Sequence, residues 1–316
     1  MNDKKYDLLC IGTALVDSII RGFDPVPISA SGFVAESASL HVGGEAVNEA
    51  ITASRLGLRT AILASIGEDG AGAMVTSALC ENGVDTGLLI RSQEHPTPIT
   101  TMFVHADGTR KSITNGAHRY GFHPERFAQQ IHCAKAISLG SLFRAPFHDP
   151  AVLRGVLDAA KQAGATVFAD TKLPNFTRLT LEDLRDSLPD VDYIFPNEDE
   201  ARYYSGRTEP EEMADVFLSY GIKHVVIKLG AKGCLFKSRT QTLYSPAYPI
   251  SAVDATGAGD SFLAGFASRI QLGEPVENAL RFANVCGALC TSCVGAVGGI
   301  QSRAQVEAWI LGTATP

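Results

Sequence analysis

Short apolar runs alternate with longer helical patterns along nearly the whole chain, and this alternation limits the fold more than any other feature of the sequence. The runs at residues 7–12, 60–66, 135–139, 166–169, 193–195 and 224–229 are mostly continuous in their apolar character, as strands covered on both faces should be. Between them, residues 45–56, 71–81, 150–163 and 211–219 carry helical patterns. Strands and helices in strict succession predict βαβ units, and hence an α/β fold of three layers with a mostly parallel central sheet between helices. Two stretches depart from this rhythm. Residues from about 19 to 42, and again 98 to 114, carry turn chemistry and polar alternation, the second reading as a hairpin around Asp107-Gly108. Both are expected in one small sheet beside the main body, with residues 1–316 forming a single domain, since no repeat, low-complexity tract or long linker divides them.

Composition matters here mainly for what it excludes. With 45% hydrophobic residues the chain can bury a substantial core, while its 34 acidic and 27 basic side chains leave a formal charge of −7 and no basic run to track nucleic acid. Asp7 and Asp17 interrupt the apolar N-terminal stretch, and no small-residue cleavage site follows it, so a strand is expected rather than an export signal. Residues 282–302 carry no charge and are long enough to span a bilayer. Asn284, Thr291, Ser292 and Gln301 interrupt them, however, and Gly295, Gly298 and Gly299 break their second half, which predicts a buried helix and then a glycine-rich turn. Seven cysteines without a disulfide-like framework point to a cytoplasmic protein. Cys286, Cys290 and Cys293 lie at helical spacing, but no second CxxC or nearby histidine completes a zinc site, so small buried residues on one helix face are the expectation.

The segment DATGAGDSFLAGF, residues 254–266, carries the clearest chemistry. Thr256-Gly257-Ala258-Gly259 is a loop of small residues entering a helix, whose unpaired N–H groups and dipole make an anion site. Phe262, Leu263, Phe266 and Ile270 give that helix an apolar face to anchor the turn. Asp260 then stands where an anion should be held. It reads either as a favourable helix cap or as a general base, placed so that a hydroxyl meets a phosphoryl group. The common nucleotide loops do not apply: GxxxxGK[ST] is absent, and Phe262 stands where a dinucleotide fingerprint requires its third glycine.

Residues 254–265 resemble the C-terminal signature of the ribokinase, or PfkB, family of carbohydrate kinases. In the same order, GGEAVN at residues 43–48 resembles the family's GGxxxN element, Asn197 and Glu200 its NxxE element, and KLGAKG at 228–233 its nucleotide-binding turn. The resemblance runs from residue 6 to about 308. It implies a ribokinase-like fold in which the small sheet is a lid, and a phosphotransferase that moves the γ-phosphoryl group of ATP to a sugar-type hydroxyl with Mg2+ present. Asp260 is then the base, and the backbone N–H groups of Gly257, Ala258 and Gly259 form the anion hole.

The resemblance also implies roles further out. Asn197 and Glu200, whose spacing equally suits a capping box, organise magnesium through its waters. Lys228, Gly230, Gly233 and Asn284 line the nucleotide; Lys172, just beyond a strand, suits either a positive charge near the phosphates or an exposed surface lysine. Asp17, Gly43, Gly44 and Asn48 meet the acceptor, although from position alone Asp17 suits a turn cap and Asn48 a helix-surface amide equally well. Asp254 and Thr256 suit a monovalent cation, K+, completed by carbonyls of residues 290–299, or simply the turn. Lid edges pairing between subunits imply a homodimer. Glu45 departs from the lysine or small residue frequent at its position, which separates the chain from ribokinase itself. Arg110, Lys111, His118 and Arg119 suit either an anionic acceptor or a solvated patch. Ribose, fructose, a sugar acid and a nucleoside all remain open as acceptors. A non-catalytic nucleotide- or sugar-binding protein is the alternative of another class, and the intact Asp260 loop argues against it.

Overall fold

Period two along the first strand, Tyr6–Ile11, sends Leu9 and Ile11 to one face of a sheet and Leu8 and Cys10 to the other, and all four are fully buried. Thr166–Thr171 repeats the pattern, with Val167 and Ala169 on one side and Phe168 on the other. A sheet with two apolar faces needs a helical layer on each. The computed structural model of the chain, which describes residues 4–21, 34–105, 110–115, 121–174 and 178–312, has that arrangement. The helices Pro150–Ala163 and Pro210–Ser219 cover the first face through Leu153, Val156, Met213 and Phe217. On the second lie Glu45–Arg55, Ala258–Gln271 and Val276–Thr291, through Val47, Ile51, Leu263, Phe266 and Ala283.

Among the described residues the central sheet has eight strands. Thr60–Leu63, Tyr6–Ile11, Ala134–Leu142, Thr166–Thr171, Tyr193–Phe195 and His224–Lys228 lie side by side and parallel. Cys234–Ser238 and Thr242–Ser245 then close that edge as an antiparallel hairpin. Ligands in open sheets of this kind bind beyond the carboxyl ends of the strands, and here those ends carry Asp170, Thr171 and Lys228.

The structure corrects two strand boundaries. The run at 60–66 is not one strand: Leu63 pairs with Ile11, the last residue of its neighbour, and Ser65–Gly67 instead pairs with Ile90–Ser92 in a separate two-stranded sheet. The small sheet also starts earlier than residue 19. Leu15–Arg21 pairs antiparallel with Ser37–Gly43 and parallel with Ile99–Val104, which pairs in turn with Arg110–Thr114. Asp17 is therefore inside a strand of that sheet, opposite His41 and Thr100, and not in a turn. Residues 22–33, the turn at 106–109, and His118 and Arg119 lie outside the described residues.

Candidate active site

Gly257 adopts φ 76° and caps the helix Ala258–Gln271, and a Cβ there would come 2.6 Å from the Ala296 carbonyl oxygen. Only glycine suits both the left-handed backbone and the close approach. Phe266, two turns further on, is fully buried, with its ring edge-on to Phe168, Tyr193 and Phe195, so the helix start is held against the sheet. Asp254 shapes the turn before it. One carboxylate oxygen accepts from the Thr256 N–H and hydroxyl at 3.0 and 2.7 Å, and the other from the Gly295 N–H at 3.1 Å and Arg21 at 3.3 Å. Burial alone would raise the Asp254 carboxyl, but these donors outweigh it and hold it below the usual carboxylate range.

A potassium ion bound at Asp254 would have to displace the Arg21 guanidinium, which already supplies a positive charge there. The neighbouring carbonyls of Thr256 and Ala296 also face the Cys290 thiol, at 3.3 and 3.1 Å. The Asp254 carboxylate and these carbonyl oxygens thus already have protein partners.

Lys228 lies directly beneath the loop. A Cβ on Gly259 would stand 3.0 Å from its Nζ, which donates to Asp170 Oδ1 at 2.6 Å. Burial opposes both charges of this pair. It pushes the Asp170 carboxyl up to about 7 with Lys228 pulling the other way, whereas at Lys228 the carboxylates of Asp170, Glu200 and Asp260 outweigh burial and raise the ammonium. The short contact and the acidic neighbours of Lys228 favour the ionised pair.

Asp260 is buried, and its Oδ2 accepts from Asn48 Nδ2 at 2.7 Å. Asn48 is not the helix-surface amide its position allowed; it is buried, and its Oδ1 has no hydrogen-bond partner among the described residues. Carboxylate oxygens of Glu49, Asp170 and Asp260 lie within 4.8 Å of one another. Reading the sequence gave Glu49 and Asp170 no role. A glutamate inside a helix buried from residue 45 to 53, and an aspartate at the carboxyl end of an apolar strand, were the available signals.

Asn197 and Glu200 form a capping box. Asn197 Oδ1 accepts from the Glu200 N–H at 2.9 Å, while Glu200 Oε2 accepts from the Asn197 N–H at 2.9 Å and the Thr171 hydroxyl at 2.8 Å. Next to the loop, a cleft of ≈ 490 Å³ is lined by Gly230, Gly233, Tyr248, Ile250, Asn284 and Gly259, among others. Asn284 reaches it, but its Nδ2 is committed to the Ser245 hydroxyl and carbonyl. Lys172 does not line this cleft. Its Nζ pairs with Glu45, on the side of Asp17 and Asn48.

On that side, a Cβ on Gly43 would fall on Asp17 Oδ2, so the glycine lets the carboxylate lie against the chain that enters the helix Glu45–Arg55 at its N-cap, Gly44. Burial raises the Asp17 carboxyl to about 6, with Lys172 pulling down and Asp260 and Asp254 pushing further up.

A three-layer fold that brings a glycine-capped helix, a lysine ammonium and an amide-bonded aspartate to one place suits an anionic ligand. The chain belongs to the pfkB family of carbohydrate kinases, whose model matches residues 6–303. It is 29% identical over 285 residues to the ribokinase of Staphylococcus aureus (strain COL), covering 87% of this chain and 90% of that protein. To fructokinase-1 of Oryza sativa subsp. japonica it is 29% identical over 283 residues, covering 84% and 86%. The structure of Arabidopsis thaliana ribokinase complexed with ribose and ATP matches at a TM-score of 0.85 and 26% identity, covering 96% of this chain and 97% of that one.

Gly257→Ala is expected to lose about 1–3 kcal/mol of stability from the strained backbone and the forced contact with Ala296. Urea unfolding checks this, and a midpoint equal to that of the wild type would contradict the geometry of the turn.

Proposed function

We propose that this protein is an ATP-dependent sugar kinase that transfers the γ-phosphoryl group of ATP to a hydroxyl of a monosaccharide or sugar acid. The observation that carries this reading is the position of Asp260. It stands at the mouth of an anion-binding helix, 2.7 Å from Asn48 on the acceptor side and close to Lys228 on the nucleotide side. The adjoining cleft has the size of a nucleotide site.

In this reading Asp17 and Asn48 bond acceptor hydroxyls, and Asn48 Oδ1 is available for one of them. Asp260 accepts the proton of the attacking hydroxyl. The N–H groups of Gly257, Ala258 and Gly259 and the Lys228 ammonium hold the transferring group's charge; the Ala258 N–H, now 3.3 Å from the Ala255 carbonyl, turns to it. Asn197 and Glu200 hold magnesium through water, and the ion when bound neutralises phosphate oxygens. The small sheet bearing Asp17 acts as the lid that excludes water from the acceptor. The family and the ribokinase and fructokinase relatives support a monosaccharide-sized acceptor.

The lid also supports a dimer. Leu40, Ile99 and Ile113 fall on its face opposite Asp17 by strand register, and all are exposed, which suits the same face of a second copy.

Asp260→Asn is expected to lower kcat by about 10²–10⁴-fold while calorimetry still detects Mg-ATP binding; wild-type turnover would refute the base. For the acceptor, kcat/KM is expected to fall as pH drops through about 6, because Asp17 gains a proton there and ceases to accept hydroxyls. In Asp17→Asn that dependence disappears, and kcat/KM is lower by about 10–100-fold; an acid limb surviving in the variant would place the titration elsewhere. Sedimentation equilibrium is expected to find a dimer that Leu40→Lys with Ile113→Lys dissociates, and a wild-type monomer would remove the dimer.

A further inference from the structure

The reaction described above leaves Glu49 without a task. It follows Asn48 in the helix Glu45–Arg55 and is fully buried. Its Oε2 accepts from the Ser138 hydroxyl at 2.5 Å, whereas its Oε1 is buried with no hydrogen-bond partner among the described residues. Each neighbouring element turns a group toward it. Asp260 comes from the helix Ala258–Gln271, Asp170 from Thr166–Thr171, Lys228 from His224–Lys228, Ser138 from Ala134–Leu142 and Cys10 from Tyr6–Ile11.

The charges in this group do not balance if every carboxyl is ionised. Lys228 is taken by Asp170, and the partner of Asp260 is the neutral amide of Asn48. An ionised Glu49 would put a second uncompensated carboxylate within 4.8 Å of Asp260, away from water, in a site that must admit a phosphoryl anion. A metal ion among the three carboxylates would relieve this, but the Lys228 ammonium already supplies the cation at Asp170. Burial, then Asp260 and Asp170, push the Glu49 carboxyl well above its ordinary range, against Ser138 and Lys228.

We propose that Glu49 is a positioning residue that works as a neutral carboxylic acid: Ser138 orients it through Oε2, and its acid proton on Oε1 faces the Asp260 carboxylate and fixes its direction. Glu49 is then the group whose ionisation closes the reaction on the alkaline side, because its charge would oppose both a poised Asp260 and the arriving phosphoryl group. This rests on Asp260 being the general base.

Infrared difference spectra of the ligand-free protein and pH profiles of kcat test it together. At neutral pH the wild type is expected to show a carboxylic-acid C=O band that Glu49→Gln removes and that alkali bleaches. Glu49→Leu is expected to lower kcat at neutral pH by about 10–100-fold, with the acceptor KM changed by less than about threefold. Glu49→Gln recovers most of that loss and lacks the alkaline fall of the wild type. The proposal is overturned if the acid band persists in Glu49→Gln or if its alkaline limb matches that of the wild type. Asp260→Asn separates the two readings: retained turnover there removes the base itself, whereas the infrared band reports on Glu49 without any substrate.

Discussion

The ion pair between Lys228 and Asp170 is the contact on which the rest of the site depends. The two residues end parallel strands separated by Tyr193–Phe195, and their 2.6 Å contact lies under the loop that starts the helix Ala258–Gln271. Taking these charges out of water is costly, and leaving one of them alone would cost about 3–5 kcal/mol. Such a pair is weak evidence of stability for its own sake. Its position explains it better: the ammonium lies where a Cβ on Gly259 would nearly touch it, so the loop is built around a fixed positive charge. The glycine and the lysine are one feature seen from two parts of the chain.

That charge is already paired, so it does not by itself offset the acid in the anion site. A helix N-terminus carries about half a positive charge, which one aspartate would more than cancel. Lys228 is engaged by Asp170, and Asn48 satisfies Asp260 Oδ2 without adding charge. Arg21, by contrast, brings a positive charge to Asp254 on the other side of the turn. Each aspartate flanking the loop thus has a hydrogen-bond donor from a distant segment.

What could be read from the sequence follows from how far apart the cooperating residues lie. Gly257, Ala258, Gly259 and Asp260 are consecutive, and a small-residue turn followed by an apolar helix face is legible without tertiary knowledge. The capping box of Asn197 and Glu200 is equally local. Lys228 was legible only as part of a turn, because its partner Asp170 is 58 residues away. Asp17 was placed beyond a strand and not within one, since the small sheet is assembled from segments whose pairing no local pattern encodes. Arg21 reaches Asp254 across 233 residues, and nothing near either of them announces it. The break at Ala64 is of the same kind: composition favours a continuous strand, and the end of the neighbouring strand decides otherwise.

The hydrogen bond between Asn48 and Asp260 has a consequence for the order of events if Asp260 is the base. The Asn48 amide engages Oδ2, one of the two oxygens with which Asp260 could accept from a hydroxyl. A water molecule that takes Oδ2 gains one hydrogen bond but must compete with this one. A sugar that also engages Asp17 and Asn48 Oδ1 offsets the loss with contacts that water cannot make at the same time. Because Asn48 is buried on a helix whose N-cap, Gly44, follows the glycine packed against Asp17, the acceptor's grip on the lid strand and its access to the base are mechanically linked.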